Sequence, residues 1–135
     1  MASASVRWIG GQQFVGTDST KHSIVLSTAA EGVGNKPSDL LLIALASCSA
    51  VDVVDILNKK RMPPSAMDIS VSAQQDETPP WTFRKIHLHF VLKGKNLTEK
   101  AVEQAIQLSE GKYCSVAATI RPTAEITTDF ELQPE

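Results

Sequence analysis

Cys48 and Cys114 are the only thiols in this chain of 135 residues, and they are its most versatile chemical groups. A thiolate, unlike a thiol, is a strong nucleophile, and its availability depends on local charge and burial. Cys48 lies in the middle of an apolar run. Cys114 follows Gly111 at the start of a short helical stretch. A cysteine in the first turn of a helix has its thiolate favoured by free backbone N–H groups and by the helix dipole. On that ground Cys114 reads as the more acidic thiol and Cys48 as a small buried hydrophobe. Either cysteine alone reads equally well as core filler. Together they read as buried fillers or as a redox pair that opens and closes, since a static staple is not expected in a reducing compartment.

The other reactive residues offer less. Asp52 and Asp55 follow Cys48 by about one and two helical turns and share its face. Carboxylates there oppose thiolate formation, so they read as a polar helix edge or as contacts for a basic partner across a dimer interface. Asp39, near a helix start, complements the dipole and caps free N–H groups; its functional role would be to orient a cation near the thiol. His87 and His89 share one strand face. With the two cysteines they could in principle hold zinc, but neither CxxC nor HxxxH spacing occurs, and a surface pair is the plainer reading. No GxGxxG or GxxxxGK phosphate loop is present, and no GxSxG elbow marks a nucleophilic serine.

Composition sets the frame for these groups. Hydrophobic residues make up 42% of the chain, charged residues 21%, and the formal net charge is −2. That balance gives no support to nucleic-acid or membrane-surface binding, both of which favour a basic patch. The start of the chain lacks a basic segment followed by an apolar one, so no secretory signal is read. The run from Leu40 to Val54 is interrupted by Ser47, Ser49 and Asp52 and falls short of the roughly 20 apolar residues of a membrane span. A cytoplasmic protein, forming one domain over residues 1–135, is expected.

The elements that must position the thiols read as follows. Short strands cover Ser5 to Ile9, Gln12 to Gly16 and His22 to Ser27, with a turn at Gly10-Gly11. A helix opens at Pro37, well suited to the first helical position, and runs to about Arg61, before Pro63-Pro64. Met67 to Ala73 and Thr82 to Lys93 alternate as strands. Asn96 and Glu99 suggest a capping box for a second helix, which Gly111 ends or interrupts. A short helix from Tyr113 to Thr119 and a strand from Ala124 to Leu132 complete the order β-β-β-α-β-β-α-α-β. Strands joined by hairpin-length turns imply a largely antiparallel sheet and an α+β fold. Leu40 to Ala46 is apolar on every face, although a helix lying on one sheet needs only one apolar stripe. A second copy of the chain is the simplest way to cover it, so a homodimer centred on this helix is expected. The alternative is a monomer whose sheet wraps the helix completely.

PSDLLL at 37–42, ASCS at 46–49 and DVVDIL at 52–57 resemble the central helix of the OsmC/Ohr family. EGKYCSV at 110–116 resembles that family's second cysteine motif. The order of elements matches over nearly the whole chain, and the nearest branch is the YhfA-like one, whose helix reads Pro-x-(Glu/Asp)-Leu-Leu and continues into Asp-Val-Val. The resemblance implies an intertwined homodimer, with each sheet wrapping the central helices and two active sites at the interface. It implies reduction of organic hydroperoxides or hydrogen peroxide, with no metal or flavin. Cys48 would be the peroxidatic nucleophile, Cys114 would resolve its sulfenic acid to a disulfide, and a dithiol would re-reduce the pair. That order reverses the dipole-based ranking of the two thiols.

The resemblance has gaps. Ohr-type members place an arginine after the Gly-Gly turn to pair with the reactive thiolate, and a glutamate near the helix start to hold that arginine. Here Gly10-Gly11 is followed by Gln12-Gln13, and the glutamate's place falls at Ser38 or Asp39. Arg7, on the first strand, is the only arginine before Arg61, so Arg7 and Asp39 form the candidate orienting pair. A thiol-dependent peroxide reductase is the expected function. A non-catalytic relative that binds a small molecule or senses redox state is the alternative.

Overall fold

The computed structural model describes residues 2–135, which fall into two compact units, one ending at Leu41 and the other spanning Leu42–Glu135. In the first unit, β1 (Ala4–Trp8), β2 (Gln13–Asp18) and β3 (Ser23–Ser27) form an antiparallel meander. Gly10 and Gly11 make the first turn with positive φ values of 107° and 53°, where a side chain would be strained. The Gly11 turn is fastened from outside. Gln12 N donates to Glu31 Oε1 at 3.1 Å and Gln13 Nε2 to Glu31 Oε2 at 3.0 Å. These bonds, that from the Gln12 backbone first, hold the Glu31 carboxyl below its usual range.

Helix α1 (Pro37–Lys59) begins with Pro37, carries Asp39 in its first turn and ends with Lys59 in its last, charges that suit the two ends of the dipole. It stops before Arg61, whose φ is 60°. By length and composition α1 could cross a membrane, contrary to the reading of its apolar run. Its inward stripe is nevertheless committed to protein. Leu45, Ser49, Val53 and Leu57, four residues apart, are wholly buried, and the three apolar ones belong to one core with β5. Ile43 and Val51, on the opposite side of α1, remain exposed, Val51 at 69%.

The second unit holds β4 (Ala66–Gln75), β5 (Phe83–Lys93) and β6 (Glu125–Gln133), in the order β4-β5-β6. β4 and β5 are antiparallel, whereas β5 and β6 are parallel. Parallel pairing needs a crossover, and α2 (Glu99–Leu108), a five-residue π-helix (Ser109–Tyr113) and α3 (Ser115–Ile120) supply it. Alternation along β5 buries Ile86, Leu88, Phe90 and Leu92. The overall α+β order is the one read from the sequence, with the π-helix added.

α2 begins at Thr98 and not at the expected Asn96. The Thr98 side chain accepts from Ala101 N at 3.2 Å, and Asn96 sits in the turn before it. Leu97 and Val102 then occupy the two positions of a hydrophobic staple, which fixes the angle of entry; both belong to the core.

Candidate functional site

The thiol site is built from three pieces of the second unit: the middle of α1, the π-helix and the start of α3. Cys114 is 3% exposed and Cys48 is half-buried. The two side chains, distant in sequence, come close enough for Cys48 to act on the Cys114 thiol. Cys114 lies just outside α3 as its N-cap. Its Sγ accepts from Ala117 N at 3.3 Å, and its own N–H donates to Ser109 O at 2.8 Å, closing the π-helix. A π-turn inserts one residue into a helical path and is frequent at functional sites; here it delivers Cys114 into the core.

The expected ranking of the thiols fails at this point. Burial pushes the Cys114 thiol up to about 11, and the nearby Cys48 and Glu110 add to the rise. The Ala117 N–H pulls the other way but does not prevail. A single capping bond is weaker than desolvation of a full charge, so the dipole argument gave Cys114 the wrong sign. The deeper and reluctant thiol suits the resolving position more than the attacking one.

Around the thiols lies a polar cluster that no motif marked. Ser49 and Ser109 are both wholly buried. Ser109 Oγ donates to Asp52 Oδ2 at 2.8 Å and lies 3.2 Å from Ser49 Oγ. Glu110 Oε1 is buried beside this cluster without a hydrogen-bond partner. Burial raises the Glu110 carboxyl above its usual range, and Asp52 adds to the rise; Arg121 and Ser49 pull it down. Arg121, at the C-terminal end of α3, also donates from its guanidinium to the Glu110 backbone carbonyl. A cation therefore does stand beside this cluster, but it comes from after the second cysteine motif. Asp52 opens into a pocket of about 390 Å³ lined also by Asp55, Lys59, Lys60, Leu108 and Tyr113.

The other sequence candidates have the following surroundings. Arg7 is exposed on β1 and Asp39 is exposed in the first turn of α1. Among the described residues no ion pair joins them. Gln12 and Gln13 are held by Glu31. His87 and His89 point away from the buried face of β5, so they do not meet the cysteines. Both share one carboxylate oxygen, with His87 Nε2 at 2.8 Å and His89 Nδ1 at 2.7 Å from Asp129 Oδ1. An ionised carboxylate only accepts, so both nitrogens donate. His87 Nδ1 lies 2.7 Å from Thr127 Oγ1.

The histidine cluster carries a pH dependence. The hydrogen bonds to His89 and then His87 hold Asp129 below its ordinary 3.8, and the bond to Asp129 raises His89 above its ordinary 6.5. A lowered carboxyl adds stability above its ordinary value, which is lost as pH falls through the folded one. A raised imidazole adds stability below its ordinary value, which is lost as pH rises through the folded one. The cluster therefore stabilises most between pH 3.8 and 6.5. In urea unfolding, the stability difference between the wild type and Asp129→Asn should be largest in that window. A difference that does not vary with pH would contradict this.

Comparison with known proteins gives the family of the chain. Residues 30–129 match the family model described as OsmC-like protein. The chain is 34% identical over 129 residues to Protein YhfA of Escherichia coli (strain K12), covering 96% of each chain. Among solved structures, a hypothetical protein from Aquifex aeolicus VF5 is 30% identical, with a TM-score of 0.90 covering 100% of this chain and 98% of that one. The organic hydroperoxide resistance protein OhrB of Bacillus subtilis shares the fold at a TM-score of 0.64 and 17% identity, covering 97% and 98% of the two chains. On the family match and the YhfA likeness together, this chain belongs to the OsmC-like protein family.

Proposed function

We propose that this protein is a thiol-dependent peroxide reductase, with an organic hydroperoxide as its preferred substrate and a role in resistance to oxidative stress. The observation that carries the reading is the meeting of Cys48 and Cys114 inside one unit of an OsmC-like chain. The Cys48 thiolate attacks one peroxide oxygen, the O–O bond breaks, and the alcohol leaves with a proton. The resulting sulfenic acid is attacked by Cys114, water leaves, and a disulfide forms. A dithiol restores both thiols. Arg7 and Asp39 are assigned as the pair that orients the Cys48 thiolate, acting in a whole-chain OsmC-like domain. A fold shared with an organic hydroperoxide resistance protein supports the substrate class.

The test is the intact mass of the purified protein before and after one equivalent of cumene hydroperoxide, without reductant. Rapid loss of a pair of hydrogens per chain is the expected result. An unchanged mass, with both thiols still titratable, would favour a non-catalytic relative that binds a small molecule or senses redox state. The glutamines standing where Ohr-type members carry arginine favour that second reading.

The same reading makes the protein a cytoplasmic homodimer built around α1. Its support is the exposed Ile43 and Val51 on the side of α1 opposite the core stripe. An aspartate there would put a desolvated charge into the interface, so Val51→Asp should sediment as a monomer. A Val51→Asp protein that remains dimeric would remove α1 from the interface.

A further inference from the structure

Ser109 is wholly buried, and burying a hydroxyl costs free energy unless it is hydrogen-bonded. Alanine would fill nearly the same space without that cost, so the place of this serine in the core rests on its bonds. Ser109 Oγ donates to Asp52 Oδ2 at 2.8 Å and to Ser49 Oγ at 3.2 Å, its one hydrogen shared between two acceptors. Both acceptors belong to α1: Ser49 directly follows Cys48, and Asp52 stands one helical turn beyond it. The backbone carbonyl of the same residue accepts the Cys114 N–H at 2.8 Å. Ser109 thus holds the helix of one thiol with its side chain and the residue of the other with its main chain. Among the described residues, no other hydrogen bond joins the π-helix to α1. Arg121 holds the turn through the Glu110 carbonyl, and that bond ties it to the end of α3, not to α1.

We propose that Ser109 is the positioning residue of the thiol pair, a clamp whose bond to Asp52 sets the distance and direction from which Cys114 closes on Cys48. The inference rests on the thiol-pair reading above. Closing needs a defined approach, because a disulfide fixes its Cα separation and its dihedral within narrow limits. Cys114 sits in a local frame of its own, with its N–H on Ser109 O and its Sγ on Ala117 N. What remains to be fixed is the placement of that frame on α1, and the Ser109 hydroxyl fixes it. Holding two reacting groups in place raises their effective concentration. In the reaction, Cys114 gives its proton to solvent, its sulfur attacks the Cys48 sulfenic sulfur, an S–S bond forms and the S–O bond breaks. The Cys114 sulfur is oxidised, the sulfenic sulfur is reduced, and the leaving hydroxide takes up a proton and departs as water. No bond of Ser109 changes in this step; it acts through the Cys114 backbone and through the α1 turn next to Cys48.

The clamp is tested on the thiol–disulfide equilibrium of the full chain, without peroxide. The reduced protein is equilibrated with graded mixtures of reduced and oxidised glutathione, quenched with acid and read by intact mass. One oxidised glutathione gives two reduced ones as the pair closes, so the midpoint yields the effective concentration of Cys114 at Cys48. Ser109→Ala should lower it at least about tenfold, within what a hydrogen bond to a charged group is worth and equal to about 30 mV for this two-electron couple. Asp52→Ala, at the half-buried end of the clamp, should lower it equally. The double variant should fall no further than either single one, since one bond cannot be lost twice. Asp52→Asn keeps a carbonyl oxygen for the hydroxyl and should recover most of the loss. The two Asp52 variants decide the matter alone where Ser109→Ala does not fold. A serine that only fills the core would cost stability to urea on removal and leave the midpoint where it was. Midpoints within twofold of wild type in both alanine variants, or losses that multiply in the double variant, would overturn the clamp. A wild-type pair that never closes in these mixtures would remove the thiol-pair reading and the clamp with it. A pair that closes as described yet ignores hydroperoxide would sink the proposed reaction and leave the clamp standing.

Discussion

Replacing Cys48 with serine will lower hydroperoxide turnover by at least about a thousandfold, while a Cys114→Ser protein will still consume one equivalent of peroxide and then stall. The asymmetry follows from the chemistry of the two positions. A serine hydroxyl is a far weaker nucleophile than a thiolate, and an activated nucleophile removed from its site takes most of the rate with it. Cys114 is buried and its thiol is raised to about 11, so it cannot take over the attacking role near neutral pH. Its loss instead leaves the sulfenic acid uncaptured, so that the protein stops at that state after one equivalent. The measurement is peroxide consumption with a dithiol reductant, paired with intact mass. A Cys48→Ser protein that turns over like the wild type would remove Cys48 from the mechanism. A Cys114→Ser protein that keeps cycling would mean that the external dithiol resolves the sulfenic acid directly.

The largest effect on folding is expected at Phe90. It is wholly buried on β5, the central strand of its sheet, in register with Ile69 of β4 and Phe130 of β6. Phe90→Ala removes a ring and leaves a cavity among residues that relax only partly, a loss of about 3–5 kcal/mol. Domains of this kind are held by about 5–15 kcal/mol in total. The urea midpoint should therefore drop steeply with little change in slope. A shift below about 1 kcal/mol would mean that the neighbouring strands close over the gap.

The fold was legible in the sequence where residue type and period coincide. α1 announced itself through Pro37, an apolar run and terminal charges, and β5 through the alternation of Ile86, Leu88, Phe90 and Leu92 with polar partners. The π-helix was not legible, because Ser109 to Tyr113 has no composition that separates a π-turn from the end of an α-helix. Asn96 and Thr98 offer competing caps, and the packing of Leu97 and Val102 decides between them. Ser49 and Ser109 look like neutral small residues in their own helices, and only the meeting of α1 with the π-helix makes them a pair. The Cys114 thiol was misjudged because a dipole can be read from position in the chain, whereas burial depends on what the rest of the chain places around it. The parallel pairing of β5 and β6 was likewise hidden, since turn lengths along the chain suggest antiparallel neighbours.

The Glu110 carboxyl has a thermodynamic consequence for the chain as a whole. A carboxyl raised above its ordinary 4.5 by burial binds its proton more tightly folded than unfolded. The stability it lends is complete below 4.5 and is lost as pH rises through the folded value. Above that range the native state is weaker for containing an acid than it would be with the neutral isostere, glutamine. A chain shaped only to stay folded would trade the acid away, as most proteins could gain stability at residues kept for their work. Glu110 thus belongs with the groups a fold carries at its own expense, and a stability-guided redesign of this protein would single it out first and in doing so remove the charge next to its thiols.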